Sequence, residues 1–282
     1  MSETETTDFD AAEILGSIER LTKDLRNASV TLSNREVRFL VDSYYAMQRD
    51  RIRASHQTRT LEKNEEPHVV LNWLTGQRST LEKQVARALD AYSASNPASA
   101  WARSITGIGP IISAGLVTHI DITKAPTVGH IWRYAGQDPT MVWNKKEKRP
   151  WNGSLKRLCW IIGESFVKVS TNDNDIYGKV YVARKQQEII KNEALEFKSQ
   201  AEHALATKNF SADTEAKKHY LTGKLPPAHI HARAKRYAVK LFLSHLHHVM
   251  YELHFNEPPP KPYVIDHMGH THFLAPPNWP RK

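Results

Sequence analysis

Apolar residues recur along this chain at the three- and four-residue spacing of helices, and almost no stretch alternates at the two-residue spacing of a strand. Ser33-Asn34-Arg35-Glu36 has the serine and glutamate of a capping box, and Val37, Leu40, Val41, Tyr44 and Met47 follow it, which predicts a helix to about Asn64. Pro67 restarts the chain, and Val70, Leu74, Leu81, Val85, Leu89 and Tyr92 carry a second long helix to the Asn96-Pro97 break. The short connection predicts an antiparallel pair. A helix over 97–104 leads into the glycine turn Thr106-Gly107-Ile108-Gly109-Pro110, and another over 110–120 leads out of it. Further helices are predicted from Pro126 to near Gly136, from Asn152 to Val169, over 177–208, over 211–225 and over 229–255. The fold class read from this pattern is all-α, an N-terminal long helical hairpin followed by a helical domain containing a helix-hairpin-helix. Its segments are an acidic tail or frayed helix over 1–28, the helical pair over 29–96, the helix-hairpin-helix domain over 97–257, and a proline- and histidine-rich tail over 258–282.

Charge directs attention to polyanions. Lys and Arg outnumber Asp and Glu by 39 to 30, a formal net charge of +9. Arg35, Arg38, Arg49, Arg51, Arg53 and Arg59 make the first long helix basic, either as a solvated face or as one turned to phosphate or a partner. Between Met141 and Arg157, Lys145, Lys146, Lys148, Arg149, Lys156 and Arg157 are opposed by Glu147 alone. Trp143 and Trp151 lie among them, as base-stacking rings or as packing anchors. On the last helix Arg233, Arg236 and Lys240 stand at i, i+3 and i+7, on one face. Gly107, Ile108 and Gly109 read as a hairpin whose amides hold a backbone phosphate, with the positive end of the next helix aimed at the same oxygens; the alternative is a glycine turn between two core helices.

Other chemistry is poorly represented. One cysteine, Cys159, leaves no internal disulfide, and its place on the stripe Leu155, Leu158, Cys159, Ile162, Phe166 makes it a core residue. The early residues are acidic rather than basic and apolar, so a cytoplasmic protein without a leader is expected, and no apolar run is long enough for a bilayer. Fifteen histidines include no specific zinc pattern, and they read as structural; were a metal bound, His267, His270 and His272 would be the first candidates. No phosphate-loop or nucleophile-elbow motif occurs, and no cofactor is expected. Asp121, Asp138 and Glu164 are scattered acids that read as caps, turns or surface residues.

Gly107-Ile108-Gly109-Pro110, Ala114-Gly115-Leu116, Tyr134-Ala135-Gly136 with Pro139, and Asn152 with Leu155-Lys156 follow one another in a suggestive order. Over about residues 72–251 the chain resembles the C-terminal domain of bridge-RNA-guided insertion-sequence transposases, and proteins of phages and mobile elements labelled transposase. That resemblance makes 97–257 a transposase-like domain, and in the family it is paired with a ribonuclease-H-like DEDD domain and carries a serine nucleophile. Here the first hundred residues read as helices without alternating strands, so the DEDD acids are expected to be absent, and 140–153 holds no serine. Ser154 is the nearest candidate nucleophile, although its position suits a role at the helix N-terminus. The expectation is a nucleic-acid-binding, transposase-derived protein, with DNA as first ligand and structured RNA as second, self-associating and without a complete catalytic site of its own. The alternatives are an active recombinase using Ser154 or a partner's catalytic domain, and a structural or assembly protein of a phage or mobile element.

Overall fold

A computed structural model describes residues 20–63, 69–144, 146–211, 214–260 and 274–280. It is all-helical: α1 (Lys23–Ala28), α2 (Asn34–Lys63), α3 (Val69–Ser95), α4 (Pro97–Arg103), α5 (Pro110–His119), α6 (Val128–Tyr134), α7 (Gly153–Val169), α8 (Tyr177–Glu193), α9 (Lys198–Thr207), α10 (Glu215–Leu221) and α11 (Pro227–Phe255). Among the described residues there is no strand, and no helix is long and apolar enough to cross a membrane. The chain divides into two compact units. The first comprises the described residues up to Ala100 together with Ser113–His119, and the second comprises Trp101–Ile112 and those from Ile120 onward. The division therefore falls just beyond the boundary expected at 96, and it assigns most of α5 to the first unit, where Arg38 Nη1 donates to Thr118 O at 3.0 Å.

In the first unit the capping box forms. Ser33 N–H donates to Glu36 Oε2 (2.7 Å) and Glu36 N–H to Ser33 Oγ (3.3 Å), bonds that hold the Glu36 carboxyl below its ordinary pKa. Val37, Val41 and Tyr45, four residues apart, are buried on one side of α2, with Ala88, Leu89 and Tyr92 buried on α3, which packs along it. Tyr92 Oη donates to Asn34 Oδ1 near the start of α2, whereas Arg51, further along, makes two bonds to Glu82, an earlier residue of α3; the two helices run in opposite directions. Arg38, Arg51 and Arg53 are thus spent on Thr118, Glu82 and Asp50, which removes half of the six arginines from consideration as a free phosphate-facing stripe.

In the second unit α11 is the spine, packed on α6, α7 and α8. Phe242 stacks on Trp101 (5.9 Å, 10°) and meets Phe166 and Tyr177 edge-on, while the Cys159 stripe of α7 is buried as its periodicity predicts. The single helix expected over 177–208 is two helices. Leu195 enters the left-handed region at φ 60°, Glu196 N–H closes back on Lys191 O, and Phe197 turns into a small cluster with Ala201, Ala204, Tyr220, Leu225 and Ile230. Burying Phe197 outweighs continuing a helix whose surface is mostly polar. The helix expected over 211–225 is confined to Glu215–Leu221. Residues 274–280 dock on the unit as irregular chain: Trp101 Nε1 donates to Pro277 O (2.8 Å) and Trp279 Nε1 to Glu252 Oε2 (2.5 Å).

Candidate nucleic-acid interface

The candidate site lies wholly in the second unit, where the end of α6, the loop after it, the first turn of α7 and a face of α11 supply its side chains. α6 closes in a Schellman turn: Gly136 N–H donates to Arg133 O (3.1 Å) and Gln137 N–H to Trp132 O (2.7 Å). Gly136 takes φ +63°, and a Cβ there would stand 2.9 Å from Trp151 Cγ and 3.0 Å from Lys156 Cδ. Only glycine lets the indole and the lysine stem rest on this backbone. Asn152 caps α7, its Oδ1 accepting from Leu155 N–H at 2.8 Å, and its amide reaches Tyr134 Oη at 2.9 Å, so the first turn of α7 is tied to the end of α6.

On this frame cations and indoles alternate. Lys156 Nζ sits 3.9 Å from the centre of the Trp151 ring, and Arg149 Cζ 5.1 Å from that of Trp143. The two indoles meet edge to face at 5.9 Å and 75°. On α11, Lys240 Nζ lies 4.0 Å from the centre of the Trp132 ring, whose Nε1 donates to Lys240 O at 3.1 Å. Arg149, Lys156, Arg236 and Lys240 have no carboxylate within ion-pair distance among the described residues. Desolvation pushes Lys156 below its ordinary pKa, and the positive charges of Arg149 and Arg236 add to it. Desolvation and Arg233 lower Arg236, with Glu188 opposing; desolvation lowers Lys240, with Asp138 opposing and Arg236 adding. Asp138 is committed to its own turn, accepting from the N–H (2.9 Å) and hydroxyl (2.7 Å) of Thr140. The result is that Lys156, Arg236 and Lys240 are partly desolvated cations under mutual repulsion, with the exposed Arg149 adjoining Lys156, a strain that a polyanion would relieve.

The structure redistributes the residues expected to bind. Arg233 leaves the set, because its Nε bonds Glu188 Oε2 at 2.6 Å and its guanidinium covers Phe197 at 4.4 Å. Glu188, only 1% exposed, also takes Arg184 at 2.5 Å, so helical spacing put Arg233 beside Arg236 while a buried acid on α8 claimed it. Lys146 and Lys148 are exposed on the loop, Arg157 is half-buried on α7, and Lys145 lies outside the described residues. Arg133, next to Trp132 at the end of α6, acts electrostatically on Asp138; nothing in its one-dimensional pattern singled it out.

The glycine turn faces inward more than expected. Gly107 has φ +92°, and a Cβ on it would stand 3.1 Å from Ser165 Oγ and 3.2 Å from Val169 Cγ2, while Ser165 Oγ donates to Gly107 O at 2.6 Å. Ile108 is 4% exposed and its N–H is already bonded to Ile105 O. Gly109 has open space around it and does not share the positive φ. Gly107 and Ile108 thus pack closely against their surroundings, and of the amides expected to hold a phosphate that of Ile108 is already taken by Ile105 O.

Ser154 is the second residue of α7, half-buried, and among the described residues no hydrogen bond joins it to a base; the helix is capped by Asn152, as its sequence position predicts. Asp121 caps a 3-10 turn, Asp138 closes a turn and Glu164 pairs with Lys235, as their scatter suggested. His245, His247 and His231 are structural. His245 Nε2 faces Leu274 O (2.9 Å) and must donate, so Nδ1 accepts from Tyr177 Oη (2.6 Å); His247 Nε2 donates to Ala125 O, and His231 pairs with Tyr181 Oη. The described residues contain no cluster able to hold a metal, and His267, His270 and His272 lie outside them. No family model, curated protein or solved structure matches this chain.

Proposed function

We propose that this protein binds nucleic acid, DNA first and structured RNA second, and serves DNA recombination or transposition of a mobile element through binding rather than through a strand-cleaving site of its own. The observation that carries the reading is that Arg149, Lys156, Arg236 and Lys240 form no ion pair among the described residues, with Arg149 over the partly exposed Trp143. Four cations that form no ion pair among the described residues, three of them over indole rings, suit the phosphates and ring surfaces of a nucleic acid. The recombination context rests on the transposase resemblance.

The test is fluorescence anisotropy of a labelled DNA fragment titrated with the full chain across a salt series. Binding should weaken steeply with salt, and the triple variant Lys156→Gln, Arg236→Gln, Lys240→Gln should reduce the slope of log K against log salt by about one per lost phosphate contact. The variant gives up the Lys156–Trp151 and Lys240–Trp132 contacts while relieving the repulsion, so melting curves are recorded beside the titration and the comparison is made with the folded variant. Salt-independent binding, or a triple variant that binds as the parent does, removes the reading in favour of an assembly protein with another partner.

A further inference from the structure

Of the three indoles at the site, Trp151 is covered by the Lys156 ammonium and rests on Gly136, and Trp132 lies under Lys240. Trp143 is different. It is 46% exposed, and its neighbour Val142 is 75% exposed. Its ring is nevertheless held: Nε1 donates to Glu147 O at 2.9 Å, and the Glu147 carboxylate is bonded in turn to the backbone (3.2 Å) and side-chain (3.1 Å) nitrogens of Asn144. Lys146, at φ 76°, turns the chain tightly within that loop. Arg149 lies over one face of this ring at 5.1 Å, and an indole held at fixed orientation while 46% exposed loses little rotamer freedom when a base stacks on its open surface.

A duplex cannot use such a ring well, since its base faces are stacked on one another and only phosphates and base edges are outward. An unpaired strand offers both a base face and flexible phosphates. We propose that Trp143 is a stacking platform for an unpaired base, with Lys156, Arg236 and Lys240 taking neighbouring phosphates, so that the preferred ligand is a single-stranded segment of DNA or RNA. This rests on the nucleic-acid reading above and deepens it.

Anisotropy with the full chain should compare labelled oligothymidylate and oligouridylate of about 20 nucleotides with a blunt duplex of the same length at one salt concentration. The single strands should bind about ten-fold more tightly than the duplex, and the difference between the two strands reports whether the sugar matters. Trp143→Ala should weaken single-strand binding about ten-fold and duplex binding less than about two-fold, and Trp143→Phe should restore most of the loss. Circular dichroism and melting of each variant confirm that the fold persists, as expected for a change at an exposed loop tip. Equal affinity for duplex and single strand, or a folded Trp143→Ala that binds single strands as the parent does, overturns the inference; that result points instead to a protein partner for the Val142–Trp143 surface. If the triple charge variant still loses binding in that case, the nucleic-acid reading stands without the single-strand preference, and if no probe binds at all, both fall.

Discussion

The Lys156 ammonium lies 3.9 Å from the centre of the Trp151 indole, and both side chains rest where Gly136 has no Cβ. The lysine is held by an aromatic ring and desolvated, not neutralised by an acid, so a structural contact also keeps its charge available. Gly136→Ala would force a left-handed backbone onto an L side chain and drive a methyl into Trp151. It should lower stability by about 2–3 kcal/mol in urea denaturation and weaken nucleic-acid binding with it. A neutral outcome would mean that Trp151 does not depend on this contact.

The two glycines of the 107–109 turn should respond differently. At Gly107 both the +92° φ and the nearness of Ser165 and Val169 oppose a side chain, so Gly107→Ala should cost about 2 kcal/mol of stability. At Gly109 neither obstacle exists, and Gly109→Ala should stay within about 0.5 kcal/mol of the parent. Parallel melting curves decide it, and equal effects would contradict the packing described.

Glu188 joins Arg184 and Arg233 while almost wholly buried. Removing it with Glu188→Ala leaves two cations facing each other without their acid, a loss of about 3–5 kcal/mol measured by chemical unfolding. Glu188→Gln, which keeps hydrogen-bond acceptance, should lose less. If Glu188→Ala proves mild, Arg233 is not anchored there and returns to the candidate cation set.

Acid should unfold the second unit from its histidines. Burial depresses His245 to about 4, and His247 is lowered by the same cause, against an ordinary value near 6.5. The unfolded chain takes up these protons first, so their contribution is complete above about pH 6.5 and is lost as pH falls through the range toward 4, amounting for His245 to about 3 kcal/mol. Urea unfolding at several pH values should show the decline, and His245→Asn should flatten it. A pH-independent profile over that range would rule out a buried neutral imidazole at this position.

Helix by helix, the periodic apolar stripes, the Ser33–Glu36 box, the Asn152 cap and the buried place of Cys159 were legible from the chain alone, because each depends on neighbours three or four residues away. The basic loop with its tryptophans was legible as composition. What each cation does was not. Arg233 and Arg236 sit on one helix only three residues apart, yet one is bonded by Glu188 from α8 and the other forms no ion pair among the described residues. Gly107 and Gly109 read alike in the sequence, and Ser165, distant along the chain, makes only the first a packing contact. Local spacing decides which face a residue occupies; the partners that neutralise, bury or expose it come from other helices, and those the tertiary structure alone assigns.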